Sequence, residues 1–137
     1  MTGAHILDAA RALLGVPWRH MGRSPLGLDC IGLVWLAAHR AGLTLPEPPP
    51  YAREPQDQAL RTALHQHLLP IAPADAQDGD VLLFNLGLYA GHLGLAARHP
   101  AYGAPSLVHA HLPRRAVVEE LRAPLLPHLT GAFRWRS

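Results

Sequence analysis

Apolar residues recur at helical spacing over residues 5–14, where Ile6, Leu7, Ala10, Leu13 and Leu14 share one side, and Gly15 with Pro17 closes the run. The spacing predicts a first amphipathic helix. A turn-rich stretch over 15–27 follows, carrying Pro17, Gly22, Pro25 and Gly27. An apolar segment over 30–41, closed by Gly42, predicts a second helix with Cys30 where the loop becomes the helix. The run PEPPPY at 46–51 cannot continue a helix, because each proline fixes φ and removes a donor, and it reads as an extended surface connector. Helical spacing returns over 56–69 through Ala59, Leu60, Ala63, Leu64 and Leu68, and Pro70 ends it. His65 and His67 lie two apart on that helix, on different faces.

From Asp80 the pattern changes. VLLF, HLGLAA, SLVHAHL and AVVEEL are short β-prone runs separated by Gly, Pro and Asn, which predicts a small antiparallel sheet. Helices first and strands afterwards argue for an α+β fold rather than alternating βαβ units. The 137 residues fit one domain, 1–137, around a single core. No internal repeat stands out, and half the residues are apolar, as in a folded globular chain.

Charge narrows the partners. The twelve cations are all arginine against ten carboxylates, a net charge of only +2. They scatter from Arg11 to Arg136 with only Arg114 and Arg115 adjacent, so no stripe suited to tracking phosphates exists and nucleic-acid binding is not expected. The N-terminus lacks a basic start followed by an unbroken apolar run, so it does not read as a secretory signal. No segment reaches the roughly 18 apolar residues that span a bilayer. The expectation is a protein made in the cytoplasm without membrane insertion. One cysteine cannot form an intramolecular disulfide, so Cys30 needs another explanation.

A lone cysteine among apolar residues can be a small buried hydrophobe. Cys30, however, follows GLD and opens the helix IGLVWLAAHRAG, where backbone N–H groups and the helix dipole would favour a thiolate. His92 in AGHLGLAA is a polar imidazole at the start of an apolar strand, either an edge histidine or a base able to reach the thiol. His109 in SLVHAHL shares strand parity with His111. A polar neighbour that fixes a base's tautomer improves it, and His109 fits that part while His111 better fits a solvated face.

At these residues the chain resembles a known family. GVPWRHMGRSPLGLDCIGLV looks like the nucleophile motif of NlpC/P60 cysteine peptidases, a G-x-P-aromatic turn leading to G-x-D-C-x-G-L. AGHLGLAA resembles the family's H-x-G segment, GDVLLF the strand before it, and LVHA the strand that presents the third triad residue, all in the family's order. The resemblance implies a papain-like α+β fold with N-terminal helices packed on an antiparallel sheet. It implies hydrolysis of peptidoglycan stem-peptide amides, typically between γ-D-glutamyl and a diamino acid, through a thioester. Cys30 would attack, His92 would serve as base and then acid, and His109 would hold His92. The oxyanion would be met by the Cys30 N–H and a donor from the turn at 18–22, with Trp18 and His20 on the substrate side. Asp29 resembles the aspartate that receives the free amine of a trimmed stem. No cofactor and no metal are implied. The proline-rich insertion looks more like the phage-tail or gene-transfer-agent branch, which implies tail-hub partners and a particle-borne enzyme. Ile31 stands where many relatives have serine and Trp18 where they have tyrosine, which bears on stem-peptide specificity.

Three other readings compete. Ten histidines and one cysteine allow a catalytic zinc held by Cys30, His92 and His109 or His111, although no H-E-x-x-H or C-x-x-C spacing occurs. The domain could be a structural tail-tip component with an idle site. It could also be a cysteine-dependent acyltransferase or amidase on the same fold.

Overall fold

The computed structural model describes residues 2–53, 55–87 and 90–136. Helix α1 (Thr2–Arg11) buries Ile6, Leu7 and Ala10 against α2 (Cys30–Arg40), whose residues from Cys30 to Val34 are all buried. Between them a two-residue hairpin, β1 (Arg23–Ser24) with β2 (Gly27–Leu28), folds the turn-rich stretch back toward the α2 N-terminus. The proline run carries no regular structure, and α3 (Asp57–His67) follows it.

The sheet comprises β3 (Leu68–Ile71), β4 (Val81–Asn85), β5 (Gly91–Arg98), β6 (Pro105–His111), β7 (Ala116–Leu121) and β8 (Leu129–Trp135), in the order β3-β8-β4-β5-β6-β7. Every neighbouring pair is antiparallel. Val81, Leu83, Leu93, Leu95 and Val108 face the helices, while Leu82, Phe84, Ala96 and Leu107 form a smaller cluster on the opposite face with Leu125 and Leu129. Burial on both faces explains why VLLF is continuously apolar instead of alternating. This is the α+β arrangement of helices against an antiparallel sheet.

Two helix boundaries and two strands differ from the sequence reading. The first helix runs Thr2–Arg11 rather than 5–14, because the chain breaks into turns that reach Gly15 at φ +88°. The helix read over 56–69 is Asp57–His67, since Leu68 leaves it to pair with Trp135. Strands β3 and β8 were not expected: each depends on a partner more than 60 residues away, which local spacing does not reveal.

Candidate active site

Cys30 is the first residue of α2, and Asp29 is its N-cap. The Asp29 Oδ1 accepts the Gly32 N–H at 2.8 Å, and Oδ2 accepts the Met21 N–H at 2.8 Å and the Tyr51 hydroxyl at 2.6 Å. Arg23 donates to the Tyr51 oxygen at 2.9 Å and approaches Asp29 at 3.4 Å. The proline run thus delivers Tyr51 to the turn before Cys30, a contact that reading it as a surface connector missed. A satisfied cap and two anchored loops fix where the helix starts. Asp29→Ala is expected to destabilise the fold by about 2–4 kcal/mol, from the lost cap and the stranded Met21 donor. A denaturant midpoint equal to wild type would contradict this.

Gly32 and Gly94 make close approaches that any side chain would block. A Cβ on Gly32 would overlap the Gly22 carbonyl oxygen, and one on Gly94 would overlap the Leu107 side chain and sit 3.2 Å from His109 Cβ. The glycines of G-x-D-C-x-G and H-x-G therefore let the turn seat on α2 and let β6 close on β5.

The β5–β6 ladder stops at Leu95↔Val108, and the three histidines gather beyond it. His92 Nε2 lies 2.7 Å from His109 Nδ1, with both rings buried. His109 Nε2 lies 3.1 Å from Glu120 Oε2, and Arg114 Nε donates to Glu120 Oε1 at 2.6 Å. The carboxylate can only accept, so His109 carries its proton on Nε2 and its Nδ1 accepts from His92 Nε2–H. The remaining ring nitrogen of His92, Nδ1, is then a bare acceptor. His92 shares a cleft of about 460 Å³ with Cys30, Trp18, Asp29, Arg53 and His111. The sequence reading ended this chain at His109. Glu120 was hidden because the register of β6 against β7, which pairs Leu107 with Glu120, is a tertiary fact.

Burial sets the charges. It pushes the Cys30 thiol up to about 12, with the Asp29 charge adding, against a Leu93 backbone N–H bond to the sulfur. Burial, aided by His109 and His111, holds His92 well below the usual imidazole value, and burial brings His109 down to about 4 despite Glu120. Burial alone would raise Glu120, but bonds from His109 and Arg114 outweigh it and hold its carboxyl below the usual carboxylate range. The resting cleft holds a thiol and a neutral imidazole, so the helix N-terminus does not by itself produce the resting thiolate anticipated from sequence.

These shifts make stability depend on pH. A folded-state histidine at about 4 resists a proton that the unfolded chain takes near 6.5, so stability is complete above about 6.5 and falls as pH drops toward 4. His109 alone accounts for roughly 3 kcal/mol over that interval, and His92 acts in the same direction. Urea midpoints at several pH values, compared with His109→Asn, measure it. Equal pH dependence in both proteins would contradict the assignment.

Trp18 is half-buried, with Arg53 over its ring at 5.4 Å, and its backbone N–H donates to the Arg115 carbonyl. The N–H groups of Arg19, Met21 and Gly22 are also engaged within the fold, which leaves the His20 N–H as the turn's one unengaged backbone donor. The His20 ring stands edge-on to Tyr51, with Nδ1 buried and unpartnered. A second hollow of about 700 Å³, lined by Arg19, His20, Arg53 and Arg115, adjoins the cleft at Trp18.

Among the described residues, no helix is long and apolar enough to cross a membrane.

The geometry has relatives. A probable endopeptidase of Mycobacterium tuberculosis H37Rv is 35% identical over 105 residues, 73% of this chain and 24% of that protein. A probable endopeptidase of Corynebacterium glutamicum is 33% identical over 96 residues, 66% of this chain and 40% of that one. The chain thus spans a quarter to two-fifths of the length of these relatives. The crystal structure of the NlpC/p60 domain of the peptidoglycan hydrolase SagA matches with a TM-score of 0.67 at 22% identity, covering 98% of this chain and 99% of that one. An NLP/P60-family protein of Staphylococcus aureus Mu50 matches with a TM-score of 0.70 at 24% identity, over 99% of this chain and 42% of that one. At these identities the likeness is one of fold. The model of the NlpC/P60 family matches residues 15–127, a span that includes Cys30, His92, His109 and Glu120, and the chain belongs to that family.

Proposed function

We propose that this chain is a cysteine peptidase that hydrolyses amide bonds of peptidoglycan stem peptides through a thioester acyl-enzyme. The observation that carries the reading is the His92 ring, held by His109 with Nδ1 left bare, in one cleft with the only cysteine of the chain. The names of the relatives, endopeptidases and a peptidoglycan hydrolase, support the substrate class.

As the Cys30 sulfur attacks the amide carbon, His92 Nδ1 takes the thiol proton, so neither buried group is charged before substrate arrives. The oxyanion is met by the Cys30 and His20 N–H groups. The new Nδ1–H then protonates the leaving amine, and the thioester remains. Water attacks it with His92 again as base, the acid leaves, and the proton returns to sulfur. The arginines beside Trp18 suit the carboxylates of a stem peptide, and Asp29 lines the cleft that would take its free amine. His109 and Glu120 act through His92 as positioning residues.

Glu120→Ala frees both tautomers of His109 and is expected to lower kcat about tenfold with little change in KM. An unchanged kcat would remove Glu120 from the account. The reading as a whole is tested by digesting purified peptidoglycan under reducing, chelated conditions and identifying fragments by mass. New termini within the stem peptide support it. Release of whole stems from the glycan would indicate an amidase, and no release from several wall types would favour the structural component.

The narrower setting, a phage tail or gene-transfer particle, is supported by the proline-rich insertion at 46–51. Antibody detection in purified particles tests it, and protein confined to particle-free cytoplasm would contradict it.

A further inference from the structure

Glu120 Oε2 lies 3.1 Å from His109 Nε2 and 3.7 Å from His111 Nδ1. The donor atoms of the three side chains all fall within 4.8 Å of one another. Ligands about 2.1 Å from a tetrahedral zinc ion stand roughly 3.4 Å apart, so the two measured separations bracket that edge without movement of the main chain. Rigid strands hold the set: His109 and His111 alternate along β6, and Glu120 stands on β7 on the same face. The two rings stack with centroids 4.5 Å apart. His111 Nδ1 is buried without a hydrogen-bond partner, an unsatisfied polar atom that a cation would satisfy. Two imidazoles and a carboxylate with an open fourth position form a donor set suited to zinc.

We propose that His109, His111 and Glu120 form an inhibitory site for a zinc-class divalent cation, and that filling it reverses the tautomers of the His92–His109 pair and silences Cys30. The inhibitory half rests on the peptidase reading above. Coordination needs the lone pair of His109 Nε2, so the proton there leaves to solvent. The His92 Nε2 proton crosses the 2.7 Å hydrogen bond to His109 Nδ1, giving the metal-bound imidazole the second N–H bond such ligands usually make. His92 then takes a proton from solvent on Nδ1, and the pair's proton count is unchanged. The nitrogen that serves as base in the peptidase reading is now a donor and cannot accept the Cys30 proton. Arg114, bound to the other Glu120 oxygen at 2.6 Å and 64% exposed, opposes the cation and is displaced by it.

Zinc chloride titrated calorimetrically into the metal-free full chain, with the imidazole 15N shifts followed in parallel, tests the site. The expected result is one zinc per chain, weakened about tenfold or more by His111→Ala, tightened by Arg114→Gln and unchanged by Cys30→Ser. Zinc is expected to move the His92 N–H from Nε2 to Nδ1, and stem-peptide hydrolysis to fall along the calorimetric binding curve. No zinc uptake, uptake lost in Cys30→Ser but kept in His111→Ala, or an unchanged His92 tautomer would each overturn the proposal. Full activity of the zinc-loaded protein would do so too. Binding and tautomer are read without substrate, so a zinc-free wild type that cuts no stem peptide refutes the peptidase reading separately and takes only the inhibitory half with it.

Discussion

His92→Ala is expected to lower the rate of stem-peptide hydrolysis about 10³-fold, the scale of a lost general base that also serves as general acid. The loss should be steep because the backbone N–H bonds to the sulfur do not offset its burial. Burial pushes the Cys30 thiol up to about 12, so without a proton acceptor the sulfur stays protonated at neutral pH. The substitution also strands His109 Nδ1 and opens space beside Phe84, so a stability loss of about 2–4 kcal/mol accompanies it. Added imidazole separates the two effects: partial recovery of rate in a folded His92→Ala protein reports the missing base, while stability is unaffected. A variant that keeps wild-type activity would remove His92 from the chemistry.

Gly32→Ala is expected to be the more damaging change to the fold, at about 3 kcal/mol or more. Alanine is ordinarily the better helix residue, worth about 1 kcal/mol over glycine in a helix interior, so propensity alone predicts the opposite sign. The added methyl would overlap the Gly22 carbonyl and lie 2.8 Å from the Arg23 guanidinium. Neither neighbour yields easily: the Gly22 N–H is tied to Arg19, and Arg23 is tied to Tyr51. Relief requires lifting the 18–22 turn from α2, which separates its donor from the Cys30 N–H. Activity should therefore fall further than the unfolded fraction explains. A denaturant midpoint at or above wild type would show that the turn does not seat on Gly32.

The position of Cys30 at the start of α2 was readable because its determinants are local. A polar cap followed by an apolar helix, with prolines and glycines before it, marks where Cys30 stands whatever packs around it. Strands β4 to β7 were readable for a related reason, since their apolar runs are bounded by Gly, Pro and Asn. Strands β3 and β8 were not, because Leu68 continues the helical spacing of α3 until Trp135 pairs with it from the other end of the chain. Tyr51 and Glu120 went unread on the same ground. Each is ordinary in its own segment and becomes part of the site only through Asp29 or His109, partners 22 and 11 residues away. Charge states were least legible. The helix N-terminus argues for a thiolate, whereas burial, known only from the fold, decides for a thiol.

The central claim is that one thiol does the chemistry, and the chain offers a direct test because it contains one cysteine. Stem-peptide hydrolysis should be followed while Cys30 is capped with methyl methanethiosulfonate and then released with dithiothreitol, with intact mass recording the fraction capped. The account predicts activity that falls in step with capping and returns on release. A fully capped protein that still hydrolyses stem peptides would contradict it.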